Sequence, residues 1–444
     1  MSLDAWPSHS ATARRPLISR TMPTLAGTNT PARLIRVGTV LVVGCLLTAV
    51  VSLAGGVSRQ SATDEGAGRV AALTVDAAEV YSSLADADAM ATSGYVAGAQ
   101  EPPTVRLRYG TDIAQASDRL VKAAGELSLD DPGRAQLATV FRELPTYTSL
   151  IETARFYNRQ GLPLGQSYLG SASGLMRETI LPAVEQLRRQ QIAELATAYG
   201  KGGAIPFAVL LIGAATLAGL IGTARRERHR TNRVLNPGLV ASAGLLVVAL
   251  LWWVVVTAIA DSRLSAASHH GEAASALDGT RAAVLQARSN ESLVLVARSG
   301  GTASDAGFTA QLTRVLGPND TGGLLATASS AAGPTGAPAI DQVRDQARRW
   351  QQAHRQLREL DDGGRYTDAV TSLIGTGPVG SRVFFQRLDV ALGNALTAQR
   401  VGLVEESGAA RGALTGIALG PTVLALAAAA AAAAGLASRI REYR

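Results

Sequence analysis

Two short polar clusters set in otherwise apolar helical stretches are where this sequence could do chemistry. Asp86 and Asp88 precede Gly94-Tyr95, and Asn290 and Glu291 precede Arg298-Ser299-Gly300. A few charges buried between helices are how helical sensors hold small ligands; the same residue types also make solvated faces and interhelical salt bridges. Arg106, Arg108 and Arg177 carry the same two readings. His269-His270 beside Glu272 comes nearest to a metal cluster, but adjacent helical residues point in different directions, so a solvated face is the better reading. His354 falls in an apolar stripe with Trp350 and reads as a satisfied core histidine. No phosphate-cradling Gly-x-x-x-x-Gly-Lys loop, kinase signature or His-Glu-x-x-His occurs, so the expectation is a protein with no catalytic, cofactor or metal site.

The elements that position these residues follow from composition. Apolar residues make up 47% of the 444-residue chain and charged residues 17%, against about 25% charged in an average soluble domain. The single cysteine, Cys45, excludes a disulfide framework. Four segments are long and apolar enough to cross a bilayer as helices: 37–57, 203–224, 238–260 and 413–437. The last contains an alanine tract, weakly lipophilic by itself, whose small residues suit close packing against the other spans in a compact four-helix bundle. Ser52-Leu53-Ala54 and Val42-Val43-Gly44-Cys45 imitate cleavage sites, but the apolar run continues past Cys45, which predicts a retained helix.

The net charge of +7 is unevenly placed. Residues 1–36, the turn around 225–237 and the tail 438–444 together hold 13 basic and 3 acidic residues, whereas 57–202 hold 14 and 17 and 261–411 hold 15 and 15. Basic flanks stay cytoplasmic. The prediction is a multi-pass plasma-membrane protein with both termini inside, a disordered basic tail over 1–36, and two extracytoplasmic domains over 58–202 and 261–412. The basicity is thus a topology signal and not a nucleic-acid footprint. Arg225, Arg226, Arg228, Arg230 and Arg233 fix that topology, and a basic juxtamembrane turn can also touch anionic membrane lipids or an acidic partner.

The outer segments have helical texture. Ile113, Ala116, Leu120, Ala123 and Leu127 follow one 3-4 stripe, and Leu137, Val140, Leu144, Tyr147, Ile151 and Ala154 another. Breakers at 101–103, 130–133 and 161–163 divide the first segment into helices over 58–99, 104–129, 134–159 and 164–202, with Pro145 and Pro182 inside helices as kinks. The second segment opens with a helix over 261–298. A short, poorly packed helix and a loop at 333–338 follow, then the stripe Val343, Ala347, Trp350, His354, Leu357, and a last helix from near Pro378. The first and last helices of each segment should run into the spans without a break. Span, domain, span is therefore written twice, an internal duplication. Leu-Asp-Asp-x-Gly-Arg occurs at 129–134 and 360–365, and Pro-x-Gly at 163–165 and 378–380. The fold class is an all-α membrane protein with four transmembrane helices and two helical-bundle domains.

The run Gly161-Leu162-Pro163, Tyr168-Leu169, Ala172 to Arg177 and Ile180 to Ala183, with Trp350, His354, Leu360-Asp361-Asp362-Gly363, Tyr366 and Ala369-Val370, resembles the GlnX family of actinobacterial membrane proteins over most of residues 34–440. The resemblance implies four spans and two outer helical domains. It further implies relay of the state of an extracytoplasmic amino-acid-binding lipoprotein, GlnH, to the cytosolic Ser/Thr kinase PknG, with aspartate, glutamate or asparagine as the signal. It implies no residue-level site. The outer domains also look like the four-helix sensory domains of chemoreceptors.

Three functions compete. In a non-enzymatic relay, a solute-binding lipoprotein biases one helix arrangement, and the spans pass it to a cytosolic kinase, since the inner pieces are too short for an output domain. In direct sensing, a small solute binds inside a bundle. In a scaffold, nothing switches. A transporter fits poorly, because no span carries a charge.

Overall fold

In the computed structural model, the described residues are 30–65, 71–98, 101–203, 207–231, 236–297, 301–375, 377 and 379–442. Most of the basic tail 1–36, Arg233, Arg298-Ser299-Gly300 and Pro378 lie outside them, as do the side chains of Arg228 and Arg230. Thirteen α-helices are described: α1 Thr30–Glu65, α2 Ala71–Val96, α3 Pro103–Glu126, α4 Gly133–Arg159, α5 Leu164–Leu175, α6 Leu181–Gly203, α7 Phe207–Thr231, α8 Pro237–Ala297, α9 Thr302–Leu316, α10 Gly323–Asp362, α11 Tyr366–Ile374, α12 Ser381–Leu414 and α13 Gly420–Glu442. Four of them, α1, α7, α8 and α13, contain stretches long and apolar enough to cross a membrane.

The chain divides into two compact units. One takes the described residues up to Ala49 together with Leu211–Val248 and the stretch from Val423 onward. Small residues set its packing. A Cβ on Gly238 would fall 2.5 Å from the Gly435 Cα, so only glycine permits this backbone approach of α8 to α13. Asn236 Nδ2 donates to the Gly435 carbonyl at 2.8 Å, pinning the same crossing. The alanine span is the most buried of the four, with Ala425, Ala428 and Ala432 fully enclosed. Weak lipophilicity and close packing thus go together, as the sequence suggested.

The second unit takes Val50–Leu210 and Ala249–Thr422, so both interspan segments share it. One hydrophobic core joins the two segments, from Leu84, Tyr147 and Met176 of the first to Leu277, Phe308 and Trp350 of the second. Burial of about 25 cal/mol per Å² of apolar surface on both sides of this seam makes the segments mutually dependent.

Several local expectations change. The stretch after Gly301 is well packed: Phe308, Leu312, Val315 and Leu316 of α9 are all buried. Residues 334–338 are helical within α10 and not a loop. Gly333 alone leaves the helix (φ 64°, ψ −170°), a left-handed joint that glycine takes without a Cβ penalty, and Pro334 and Pro338 continue beyond it. An unexpected helix, α11, covers Leu295 and Leu357 with Ala369 and Leu373. The sequence hides it because its 9 residues are too few for a legible period. α4 runs on through Pro145. Before Pro182 the helix widens into a π turn, Met176–Ile180, where the Leu181 N–H bonds the Met176 carbonyl and the proline ring finds room. α8 passes without a break from its apolar stretch to Ala297, whereas α12 and α13 are separated at Thr415–Leu419. The Leu-Asp-Asp-x-Gly-Arg copies sit at non-equivalent joints, α3 to α4 and α10 to α11, so they are not marks of the duplication.

Candidate functional site

The helical packing of the second unit places the predicted acidic residues inside. Asp86, Asp88, Asn290 and Glu291 are all buried, which removes the solvated-face reading for them. They sit on α2 and α8, the first long helix of each segment, and their partners come from the helices packed around them.

Asp88 accepts hydrogen bonds from the Ser173 hydroxyl at 2.9 Å, the Tyr147 hydroxyl at 3.3 Å and the Ser289 hydroxyl at 2.6 Å. Every one of these donors is neutral. Burial pushes the Asp88 carboxyl above its ordinary value, and the Ser289 and Ser173 bonds only partly offset that. Ser289 belongs to α8, so this bond crosses between the segments. Two others join it: Arg177 Nη1 donates to Asn290 Oδ1 at 3.0 Å, and the Ser93 and Ser292 hydroxyls meet at 3.0 Å.

Glu291 has a different shell. Arg288 Nη1 donates to it at 2.7 Å, Ser381 Oγ at 2.5 Å and Trp350 Nε1 at 3.3 Å, while His354 Nδ1 lies at 3.2 Å. His354 Nε2 reaches Asp305 at 2.9 Å, and Phe308 stacks on the imidazole at 3.6 Å. Burial by itself would raise Glu291, but the His354 hydrogen bond and the Arg288 charge bring it below the ordinary value. Burial would lower His354, yet Glu291 and then Asp305 hold it above its ordinary value, with a carboxylate on each side of the ring. His354 is thus a satisfied core histidine with a charge partner on each side.

A third group centres on Asp86. Arg108 Nε donates to Asp86 at 2.7 Å and Arg108 also pairs with Asp389 of α12 at 3.3 Å. Asp112 lies against Asp86, and burial followed by the Asp86 charge pushes it up to about 8. Sequence reasoning missed Asp112 because it began the α3 stripe at Ile113, three residues before Ala116, where a step of four reaches Asp112. The buried face is Tyr109, Asp112, Ala116, Leu120 and Ala123, one residue off the stripe at its start.

The remaining predicted residues stand apart. Arg106 is half exposed and only 3.8 Å from Glu152, a surface pair. Arg225 and Arg226 are exposed at the end of α7. His269 is exposed, and His270 turns to Gln399 at 2.8 Å. Among the described residues no three His, Cys, Asp or Glu side chains converge to hold a cation.

Between α2, α3, α8, α11 and α12 opens a cleft of about 200 Å³, to which both segments contribute arginines: Arg108 from one, Arg288 and Arg382 from the other. The C-terminal carbonyls of α11 fix two of them. Leu373 O accepts from Arg288 at 2.7 Å, and Ile374 O from Arg382 at 2.8 Å, the favourable placement for cations at a helix C-terminus.

Residues 62–200 match the family of actinobacterial sensor domains. A search of curated proteins and one of solved structures return no match. The chain is therefore a sensor-domain-containing, all-helical, membrane-associated protein, consistent with signalling.

Proposed function

We propose that this protein is a non-enzymatic transmembrane signal relay. The two interspan segments lie outside the plasma membrane, with both termini and the arginine-rich stretch Arg225–Arg233 in the cytosol. Its signal is extracellular amino-acid availability, delivered by a solute-binding lipoprotein of the GlnH type, and its output is a cytosolic Ser/Thr kinase of the PknG type. The observation that carries this reading is α8: 61 residues run unbroken from the apolar stretch to the buried bonds of Ser289, Asn290 and Glu291. A partner that favoured a different set of these discrete hydrogen bonds would shift an unbroken helix along its axis, and its apolar end with it. The basic stretch at the end of α7 would then present a changed surface to an acidic kinase face and to anionic lipid.

The test is binding of the purified lipoprotein to the full chain in lipid nanodiscs, with and without aspartate or glutamate. The full chain is needed because the segments share one core. Solute-dependent binding supports the relay. Equal binding in both conditions, together with unchanged phosphorylation of kinase substrates in cells lacking this protein, points to a scaffold. A second reading, direct sensing of a small solute inside the unit, is favoured by the arginine-lined cleft shared by both segments.

A further inference from the structure

The arginine cleft has a charge balance that its own protein partners do not complete. Arg108 is answered by Asp86 and Asp389, and Arg288 by Glu291. Arg382 bonds only the Ile374 carbonyl and has no carboxylate partner among the described residues. Arg288 is 3% exposed and ends two of its donors on Glu291 and Leu373 O, but its buried Nε has no hydrogen-bond partner. A buried guanidinium nitrogen left without an acceptor is costly, and an arriving oxyanion would satisfy it. Thr104 stands in the first turn of α3, a 24-residue helix, and lines the same cleft, so the positive end of a helix dipole is added to one surplus guanidinium. No acidic side chain lines the cleft; the rest of the wall joins the apolar Met90, Val105, Ile374 and Phe385 to the neutral polar Ser93 and Gln386.

We propose that this cleft binds a small organic carboxylate, its head between Arg382, Arg288 Nε and Thr104, and its short apolar body against Val105, Ile374 and Phe385. The inference rests on the direct-sensing reading and gives that reading its ligand class. One surplus cation suits one carboxylate head. The planar guanidinium fork matches a carboxylate in two parallel bonds. A volume of about 200 Å³ lies below the ~300–1,000 Å³ of drug-sized pockets, which limits the body to a few carbons. Because Thr104 and Val105 belong to one segment and Arg288, Ile374, Arg382 and Phe385 to the other, an occupant would tie the two together beside Ser93, which meets Ser292 of α8.

The experiment is isothermal titration of the purified full chain in detergent with butyrate, succinate, inorganic phosphate, butanol and butylamine. Butyrate should bind best. Arg382→Gln should weaken it about tenfold or more, the worth of a charge-assisted hydrogen bond. Thr104→Trp, at an exposed position whose enlargement leaves the core untouched, should abolish binding by filling the mouth. Arg106→Gln, on the same helix but in a surface pair, should leave affinity unchanged. Butyrate affinity unaffected by Arg382→Gln, or phosphate binding more tightly than butyrate, overturns the proposal. Binding of butanol or butylamine alone overturns the ligand class while leaving direct sensing intact, and binding of no solute at all removes both.

Discussion

The two segments solve one structural problem in two ways. Each carries a buried acid on its first long helix, Asp88 on α2 and Glu291 on α8. Each acid accepts from an aromatic donor on a following helix, Tyr147 on α4 or Trp350 on α10, and from a serine, Ser173 on α5 or Ser381 on α12. In these contacts the two segments are alike. The difference lies in the remaining partners. Glu291 also has Arg288 and His354, so its charge is matched inside its own segment. Asp88 has the Ser289 hydroxyl, borrowed from the other segment. A matched ion cluster stays fixed, because breaking it strands charges in a low dielectric. A carboxyl among hydroxyls changes protonation and bonding at small cost, because each hydroxyl can donate or accept. The second segment thus holds its acid as an anchor, and the first holds its acid at the seam where the segments meet.

Substitution at these two acids is the strongest way to break that contrast. Glu291→Gln leaves Arg288 and His354 without their anion and should destabilise the protein by about 3–5 kcal/mol in denaturant titration of the full chain. Asp88→Asn keeps an acceptor oxygen and should cost only about 1 kcal/mol. Equal losses would mean that Asp88 is as firmly ionised as Glu291, and the comparison would collapse.

A second test uses pH. Asp112 titrates near 8 in the fold against an ordinary 3.8. An acid whose folded value is raised stabilises the fold below its unfolded value, and that contribution is lost as pH rises through the folded value. Stability should therefore fall between about pH 4 and pH 8, and Asp112→Asn should flatten that slope. His354, also raised above its ordinary 6.5, favours the fold below that value and loses the contribution as pH rises through its folded value. A residual slope should accordingly survive in Asp112→Asn. An unchanged slope would show that burial and the Asp86 charge do not hold Asp112 above its ordinary value.

The smallest expected effect sharpens the contrast between the aromatic donors. Tyr147→Phe removes one long neutral bond to a carboxyl that retains two serines, and should cost about 0.5 kcal/mol. Trp350→Phe removes a ring that bonds both Glu291 and Ser381 and fills the core beside Phe308. It should cost about 3 kcal/mol, since transfer and cavity terms add. Similar values for the two would mean that the rings matter for volume alone.

Much of this architecture was legible in advance, and particular residues show why. The four apolar stretches could be read because membrane-length hydrophobicity is a local property of about 20 consecutive residues. The stripes of α4 and α10 could be read because Leu137 to Ala154 and Val343 to Leu357 repeat at a helical period, and each stripe residue is buried. α9 and the 333–338 region were misread because Gly, Ser and Pro score as loop formers when taken singly. Helices α10 and α12 packing against them override that propensity. The acids on α2 and α8 stood out as charges in apolar runs, but their partners did not. Ser173, Ser289 and Ser381 carry no sequence signal, and Asp112 lies one residue off the stripe that the sequence offers.

The helical class, the four stretches able to span a membrane and the order of segments can be read from neighbouring residues alone, because each is a sum over them. Tertiary structure alone decided that the two segments share one core, that Asp88 is bonded across them while Glu291 is caged within one, and that three arginines from different helices face one cleft. Those outcomes depend on residues as far apart as Asp88 and Ser289 meeting in space, and no local pattern of hydrophobicity or charge encodes such a meeting.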